Sequence, residues 1–305
     1  MKVLVYGANG LQGQPIVNQL LKSGHQVRAL VRDVNRAAPF AAAGAEIAAA
    51  DLNSDNLSDL ERAHHGVEFV VLMLPSGADG PARRQAGERA LACIQRGSSI
   101  RGIIFNASVQ YPQHFDELPS FAATKEIEDT LRRCAIPLSV IRPTFYLQNL
   151  LLPYARFSIA TRGVLAYPVA DKQPLSWVAT EDIAGLIVHL LQHDAIGVSV
   201  DAGGQRSLDG HELAGCFSEG LARPIRYESL DLDEFEAGVD RALGPGVGKR
   251  VSGIFRFIKG HPDDLEFVSK PFVQPPGFPH FESTDVTQWV AAHSEDFAAL
   301  AAARQ

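Results

Sequence analysis

The stretch that decides the fold is "KVLVYGANGLQGQPIVNQLLKSGHQV", from Lys2 to Val27. An apolar run leads directly into three glycines at the spacing G-x-x-G-x-x-G, and an amphipathic helical pattern follows at once. In such a βα unit Gly7 permits a tight turn, Gly10 lets the backbone approach a pyrophosphate, and Gly13 lets the helix pack closely on the sheet. The N–H groups and the dipole at the start of the helix then favour phosphate. The stretch therefore predicts a nucleotide-binding turn.

The rest of the first two-thirds of the chain continues the alternation of strands and helices. Most of the strand candidates are continuous apolar runs, as strands buried on both faces of a parallel sheet require. We predict strands at Lys2–Tyr6, Gln26–Val31, Ala45–Ala49, Val67–Leu74, Gly102–Asn106, Leu138–Arg142 and Gly197–Asp201. The helices between them are predicted at Pro15–Ser23, Leu57–His65, Pro81–Arg96, Phe121–Cys134 and Thr180–His193. This alternation predicts an α/β fold with a doubly wound parallel Rossmann sheet.

The last third of the chain has a different character. Proline and glycine are dense from Gly244 to Pro279, where we expect no regular alternation, and a terminal helix is predicted at Ser283–Ala302. We therefore predict a Rossmann domain that binds NADP, formed by residues 1–145 and 175–205. Residues 146–174 and 206–305 are predicted to form a smaller C-terminal substrate-binding lobe over the carboxyl edge of the sheet.

Composition limits the partners and the compartment. The 28 Lys and Arg residues against 35 Asp and Glu residues give a net charge of −7, which argues against nucleic-acid and membrane-surface binding and leaves a small-molecule substrate. Cys93, Cys134 and Cys216 are scattered without metal-ligand spacing, so we expect no metal and free thiols. The first strand starts without a leader pattern, so we expect a cytoplasmic location. A homodimer is compatible with the amphipathic helices.

The end of the second strand indicates which cofactor binds. An acidic residue there suits the ribose hydroxyls of NAD, whereas an arginine suits the 2′-phosphate of NADP. In "VRALVRDV" Arg32 comes first and Asp33 follows, and Arg36 offers a second positive charge close behind. Solvated surface arginines are the alternative. The pattern favours NADP over NAD.

Other candidate cofactor contacts are chosen because they lie in the glycine turn or at the carboxyl ends of predicted strands, where open α/β sheets bind ligands. Asp51 is expected near the adenine, and "Leu74-Pro75-Ser76" is expected beside the nicotinamide ribose. Taken singly, each would equally suit a cap or a turn. The full set adds Asn9, Leu11, Gln12 and Leu52 to the three glycines.

Several motifs together resemble one known family. "GANGLQG", "VRD", "SFAATKEIEDTLR", "IRPTFYLQNL" and "SWVATEDIAGLIVHLL" occur in the order found in NmrA-like atypical short-chain dehydrogenases/reductases, and "FESTDVTQWVAAHSEDFA" fits that family's last helix. Asn9 stands where the family often carries threonine. The resemblance implies that Pro143, Thr144 and Phe145 lie beside the nicotinamide. For Phe145, ordinary packing is the alternative.

The resemblance also implies where the chemistry should occur. In the wider superfamily a tyrosine exchanges the substrate proton, and a lysine four residues on lowers its pKa and holds the nicotinamide ribose. Lys125 matches the lysine, but Phe121 stands at the tyrosine position, and phenylalanine has no exchangeable proton. A tyrosine-based alcohol dehydrogenase or epimerase mechanism is therefore excluded there. Lys125 would orient the ribose or donate a proton; pairing with Glu126 or Glu128 on the helix surface is the alternative.

Ser108, after the fifth strand, matches the superfamily's serine and would hydrogen-bond the substrate, unless it is only a turn residue. Tyr111, His114 and Tyr146 are other candidate proton donors. Asp182, in "TEDIAGL", is interpreted as a helix-start residue that caps backbone N–H groups rather than as a catalyst.

Two functions remain open. In the first, the protein is an NADPH-dependent reductase that transfers hydride to a quinone, an enone or a similar electron-poor acceptor without the usual tyrosine, as relatives such as quinone and triphenylmethane reductases do. In the second, it is a non-catalytic NADP(H)-binding redox sensor that acts through a protein partner. Aromatic residues in the lobe favour the enzyme if they line a pocket, although they would equally form its core: Phe255, Phe257, Phe272 and Phe278.

Overall fold

The computed structural model describes residues 1–75 and 79–302. Its strands are short. In chain order they are β1 (Lys2–Val5), β2 (Gln26–Val31), β3 (Glu46–Ala49), β4 (Phe69–Met73), β5 (Gly102–Asn106), β6 (Leu138–Pro143), β7 (Phe145–Tyr146), β8 (Val164–Tyr167), β9 (Leu175–Val178), β10 (Ser199–Ala202), β11 (Ser207–Leu208) and β12 (Arg226–Ser229). Of these, β4, β5, β7, β8 and β9 are buried along their whole length.

Seven of these strands form one parallel sheet in the spatial order β10-β6-β5-β4-β1-β2-β3. They are the seven strands predicted from the apolar runs, so the prediction of a doubly wound Rossmann sheet is confirmed. The chain proceeds outward from β1 to one side through β2 and β3, and then to the other side from β4. The strand order therefore reverses between β1 and β4, and sheets of this kind bind ligands at the carboxyl edge beside such a switch point.

The helices cover both faces of this sheet and build a second region beside it. No helix among residues 1–75 and 79–302 is long and apolar enough to cross a membrane. They are α1 (Gly13–Lys22), α2 (Ala38–Ala42), α3 (Ser58–Ala63), α4 (Gly80–Arg96), α5 (Pro119–Arg132), α6 (Pro153–Arg162), α7 (Thr180–Gln192), α8 (Gly210–Gly220), α9 (Leu232–Leu243), α10 (Val247–Gly260), α11 (Glu266–Ser269), α12 (Val286–Ala292) and α13 (Ser294–Ala302).

Alternate residues of the central strands point to opposite faces, and each face has its own apolar core. Val3 and Val5 pack with the buried sides of α1 and α7, whereas Leu4 packs with α3, α4 and α5. Because both faces are covered, the strands must be apolar at every position, which is why their sequences lack alternation.

A third apolar core lies among β7–β9, β11 and the later helices, around Tyr167, Trp177 and Phe217. Here β9 pairs with β7 and β11, and β8 pairs with β12. As expected, strands and helices do not alternate from 244 to 279, but two helices that were not predicted, α10 and α11, form there. The flanking glycines obscured the apolar face of α10, on which Phe255 and Ile258 are buried. The division of the chain into two domains at the predicted boundaries stays a prediction.

The segment that contains α12 and α13 is bonded to α7 through Asp182, and it does not form one continuous helix. The predicted helix at Ser283–Ala302 divides into α12 and α13. Asp182 accepts hydrogen bonds from the Ala179 N–H at 3.3 Å and from the Thr284 hydroxyl at 2.6 Å, so it caps α7 as interpreted and also fixes this segment. Phe272 and Phe278 pack against the α7 side of the sheet, so they do not line a pocket with Phe255.

The buried carboxylate of Glu128 joins α5 to β6. Lys125 lies on α5, and Thr144 comes directly after β6. Glu128 is 1% exposed and accepts hydrogen bonds from Arg132 at 2.8 Å and from Arg142 at 3.0 Å. Burial acts to raise the pKa of Glu128, but the two guanidinium groups outweigh it and lower that pKa. The ion pair therefore stabilises the fold in the ionised form.

We predict that Glu128→Gln lowers the free energy of unfolding at pH 7 by about 3 kcal/mol, because it leaves two guanidinium groups beside a neutral amide. Since the folded pKa of Glu128 is lowered, its contribution is complete above the ordinary glutamate pKa and is lost as the pH falls through the folded value. Urea unfolding at decreasing pH should show the difference between variant and wild type shrinking. Glu126→Gln, at an exposed pair with Arg84, is the control and should change little.

Candidate functional site

The glycine turn after β1 is open because side chains are absent where the backbone is crowded. Gly7 has φ +62°, a left-handed conformation that glycine adopts without strain. A Cβ on Gly13 would lie 2.2 Å from the Gly7 carbonyl oxygen, and a Cβ on Gly10 would lie 3.1 Å from the same atom. Only glycine fits at Gly13. The turn thus leaves the start of α1 accessible to a phosphate.

Asn9 connects this turn to the end of β2 and leaves one acceptor unused. Its Nδ2 donates to the Asp33 carbonyl at 3.4 Å, and its backbone carbonyl accepts from Gln14 at 3.1 Å. Its Oδ1 is buried and has no hydrogen-bond partner among the described residues. Buried polar atoms are rarely left unpaired, so this oxygen suits a donor on a bound ligand, such as a ribose hydroxyl.

The end of β2 presents positive charge. Asp33 Oδ1 accepts from the Asn35 N–H at 3.0 Å and caps the short 3-10 turn Val34–Ala37, so its carboxylate is engaged in local structure. Arg32 and Arg36 are exposed and make no ion pair with any described residue. Two free guanidinium groups beside the glycine turn fit the 2′-phosphate of NADP.

The candidates after β3 and β4 lie at the same edge of the sheet. Asp51 Oδ1 accepts from the backbone N–H two residues on at 2.9 Å, and the Leu52 carbonyl accepts from Arg89 at 2.9 Å. Leu74 is buried, and Ser76 lies outside the described residues. For these residues, contact with a cofactor stays a prediction.

At the same edge of the sheet, the Pro75 carbonyl is bonded by a side chain of α4. It accepts from Arg83 Nη2 at 3.0 Å, and Arg83 Nη1 also donates to Thr124 at 3.3 Å. Arg83 is buried between α4 and α5, and burial lowers its pKa. This arginine therefore holds the loop after β4 against the helix that carries Lys125.

Four side chains from distant parts of the sequence meet between β1, β5 and β7. Gln12 Oε1 accepts hydrogen bonds from Asn106 Nδ2 at 2.9 Å, from the Ser108 hydroxyl at 3.1 Å and from the Tyr146 hydroxyl at 2.9 Å. We call these four residues the donor cluster. Gln12 and Ser108 were predicted site residues, and Tyr146 was one of three candidate proton donors. Asn106 was missed, although a polar residue ending the apolar run "GIIFN" is a signal that could have found it.

The backbone and the protonation state of the donor cluster are both constrained. Ser108 has φ +64°, which is uncommon for a residue other than glycine, and its N–H donates to Asn106 Oδ1 at 2.9 Å. Strained backbone of this kind concentrates at functional sites. Tyr146 is 6% exposed, and burial raises its pKa, so its hydroxyl stays protonated. The cluster therefore offers neutral hydrogen-bond donors.

Lys125 lies on the expected helix face but has a local partner. Its Nζ contacts Asp129 Oδ1 at 2.5 Å, one turn along α5, rather than Glu126 or Glu128. Within the described residues no hydrogen bond links it to the donor cluster. Phe121 is buried edge-on to Phe267, at 6.5 Å between ring centroids. The roles of Lys125 with the cofactor and in catalysis stay predictions.

The segment after β6 has one unpaired polar atom and one packed ring. Pro143 ends β6 in the sheet. The Thr144 N–H donates to the Ala202 carbonyl at 3.1 Å, while its Oγ1 is buried with no partner among the described residues. Phe145 stacks on Phe255 at 5.8 Å with an 11° angle between the rings. Thr144 Oγ1 is thus free to bond a ligand, whereas Phe145 belongs to the third apolar core, with Trp177 and Phe255.

A cavity of about 490 Å³ lies beyond that stack. Most of its lining residues are apolar, and the polar ones are Gln173, Ser229, Asp231 and Lys259. Phe255 is shared between the cavity wall and the stack on Phe145, but none of the predicted cofactor residues lines it. Apolar wall residues are Val169, Leu230, Leu232, Phe255, Ile258 and Leu265.

A phosphate-accessible glycine turn at the switch point of a doubly wound sheet defines a Rossmann protein that binds a dinucleotide. The chain belongs to the NmrA-like family, whose family model matches residues 1–261. The resemblance inferred from the motifs is confirmed.

Three comparisons describe what the chain is similar to. It is 26% identical over 236 residues to an NAD(P)H azoreductase of Xenophilus azovorans, covering 76% of this chain and 78% of that one. The NADPH-dependent quinone oxidoreductase of Escherichia coli, solved with NADPH, superposes with a TM-score of 0.72 at 21% identity over 95% of this chain and 99% of that chain. NmrA, a negative transcriptional regulator solved with NADP, superposes with a TM-score of 0.73 at 16% identity over 95% of this chain and 94% of that chain.

We predict that Gly13→Ala weakens NADPH binding by about tenfold or more, equivalent to about 1.4 kcal/mol of binding free energy. The new Cβ would lie 2.2 Å from a backbone oxygen, so the turn must open. Fluorescence titration with NADPH measures the effect. Gly215→Ala in α8, where a Cβ meets nothing within 4 Å, is the matched control and should leave binding unchanged. Wild-type affinity in Gly13→Ala would contradict the assignment of this turn.

Proposed function

We propose that this protein is an NADPH-dependent reductase that transfers hydride to a small electron-poor acceptor, such as a quinone or an enone, without a catalytic tyrosine on α5. The observation that carries the proposal is the glycine turn with unpaired arginines beside it. The relatives named as an azoreductase and as a quinone oxidoreductase support the reductase class. The acceptor would bind under the lobe formed by residues 146–174 and 206–305, and the scattered free cysteines favour the cytoplasm.

The residues of this chain have separate tasks in that reaction. NADPH, when bound, supplies the hydride. Backbone N–H groups at the start of α1 hold the pyrophosphate, and Arg32 holds the 2′-phosphate. The Lys125 ammonium would leave Asp129 and bond the ribose hydroxyls instead. It would thereby orient the nicotinamide, as the family resemblance implies. Phe121 supplies no proton, so charge that develops on the acceptor must be stabilised by other residues.

A second candidate function is an NADP(H)-binding sensor that acts through a protein partner. The similarity of fold to NmrA favours it, because that protein is a transcriptional regulator solved with NADP. The ring stack of Phe145 on Phe255 also favours it, since Phe145 then packs in an apolar core instead of lying against a nicotinamide ring. A sensor would need tight, redox-selective binding and no acceptor.

NADPH oxidation against a panel of quinones, enones and cationic dyes distinguishes the two functions. We expect turnover with at least one carbonyl acceptor, and a decrease in kcat/KM of about 10²-fold in Lys125→Ala if the lysine orients the ribose or moves a proton. Lys249→Ala, an exposed lysine on α10, is the matched control. Absence of turnover with every acceptor, together with tight binding that differs between NADPH and NADP⁺, would replace the reductase proposal with the sensor.

Cofactor preference is tested by Arg32→Ala. Loss of a charge-assisted bond to the 2′-phosphate should raise the dissociation constant for NADPH by about tenfold or more and leave that for NADH nearly unchanged. Isothermal titration with both nucleotides measures this difference. Arg226→Ala, an exposed arginine on β12, serves as the control. An equal loss for both nucleotides would refute the assignment of NADP.

A further inference from the structure

The donor cluster directs three hydrogen-bond donors at one acceptor oxygen. An amide oxygen carries two lone pairs, yet Asn106, Ser108 and Tyr146 all point a hydrogen-bond donor at Gln12 Oε1, at 2.9, 3.1 and 2.9 Å. The three donors therefore share one oxygen, and the Tyr146 hydroxyl also lies within hydrogen-bonding reach of Asn106 and Ser108. Asn106 ends β5, Tyr146 ends β7 and Ser108 comes two residues after β5. Gln12 lies on the glycine turn and is only half-buried. Gln12 is the member of the cluster that a ligand can displace.

The chemistry of the cluster is that of a site for an oxygen with negative charge. No carboxylate among the described residues bonds to any of its members, and Asn106 Oδ1 is already engaged by the Ser108 N–H at 2.9 Å. Tyr146 is held protonated by burial, so it presents O–H rather than O⁻. Preorganised neutral donors, shielded from water and converging on one point, stabilise an oxyanion more strongly than they stabilise a neutral carbonyl.

The donor cluster lies on the side of the sheet where the nicotinamide half of a dinucleotide and the hydride acceptor are expected. A dinucleotide bound at the switch point between β1 and β4 would have its pyrophosphate held by the start of α1. Arg32 lies on the β2 side, where the adenosine half belongs. Ser108 and Tyr146 lie on the opposite side, beyond β4, where the nicotinamide half and the acceptor belong.

We propose that Ser108, Tyr146 and Asn106 form an oxyanion site, with Tyr146 on β7 taking over the charge stabilisation that Phe121 on α5 cannot supply. The acceptor's oxygen takes the place of Gln12 Oε1. This inference rests on the proposed function and narrows its substrate class to carbonyl acceptors, quinones or enones, in which reduction places negative charge on oxygen.

The proposed step is a two-electron transfer of hydride from NADPH to the acceptor. The hydride from NADPH forms a C–H bond on the conjugated carbon of an enone or an equivalent electron-poor position of a quinone. The π pair of the acceptor moves onto its oxygen, which becomes an enolate oxygen, while NADPH is oxidised to NADP⁺. With a quinone, the protonated product then tautomerises to the hydroquinone by moving a proton from the new C–H carbon to the second oxygen through water. Ser108 and Tyr146 hold that oxygen by hydrogen bonds and keep their own protons. The anion takes its proton from water as it leaves.

The kinetic test compares Tyr146→Phe with wild type on a naphthoquinone, a cyclic enone and a cationic triarylmethane dye. The dye becomes neutral on accepting hydride and places no charge on oxygen, so the donors do not assist it. Wild type should prefer the carbonyl acceptors. Tyr146→Phe should lose about 10²-fold in kcat on them, with the dissociation constant of NADPH unchanged. Tyr154→Phe, which removes the same hydroxyl from a lobe tyrosine packed on Phe235, is the matched control.

A binding measurement tests the site without turnover. In the presence of NADP⁺, 4-nitrophenolate mimics the product anion, and its affinity should fall about tenfold or more in both Tyr146→Phe and Ser108→Ala. Retention of wild-type quinone reduction and phenolate binding in Tyr146→Phe would overturn the inference, as would a parallel loss of NADPH affinity or a wild-type preference for the dye. Phenolate binding that depends on Tyr146, without turnover of any acceptor, would refute the reductase and keep the oxyanion site.

Discussion

The close approach of α1 to the glycine turn is the constraint on which the rest of the structure depends. The Gly7 carbonyl occupies the space where a side chain at Gly13 would begin. This contact sets where α1 starts, and α1 packs with α7 over one face of the sheet. The same contact directs the first N–H groups of α1 at the switch point beside β4. Packing of the core and affinity for phosphate thus share one backbone geometry.

Much of the sheet could be predicted from the sequence because its information is local. Parallel strands buried on both faces are mainly apolar, so most of the seven appear in the sequence as nearly continuous apolar runs bounded by glycines and polar residues. The glycine turn and Arg32 are equally local signals. The lobe was harder to predict, because α10 is flanked by glycines and its apolar face is recognisable only against the partners that bury Phe255 and Ile258.

The candidate site was predicted only in part, because some of its contacts form between residues that are distant in the sequence. Motif position led to Gln12, Ser108 and Lys125, but their partners depend on tertiary structure. Asn106 and Tyr146 are separated from Gln12 by 94 and 134 residues, and nothing in the spacing of the chain indicates that their donors meet one oxygen. Similarly, the choice of Asp129 as the partner of Lys125 follows from side-chain geometry on α5 rather than from sequence pattern.

The left-handed backbone at Ser108 makes two properties of the protein compete at a single position. At φ +64° a glycine would relax the turn, whereas serine retains a strain of about 1 kcal/mol or more. The exchange that relieves this strain also removes the hydroxyl that points at Gln12. Stability and hydrogen-bonding capacity are therefore antagonistic here. A search for more heat-resistant variants of this protein would tend to select glycine at this turn and lose the hydroxyl.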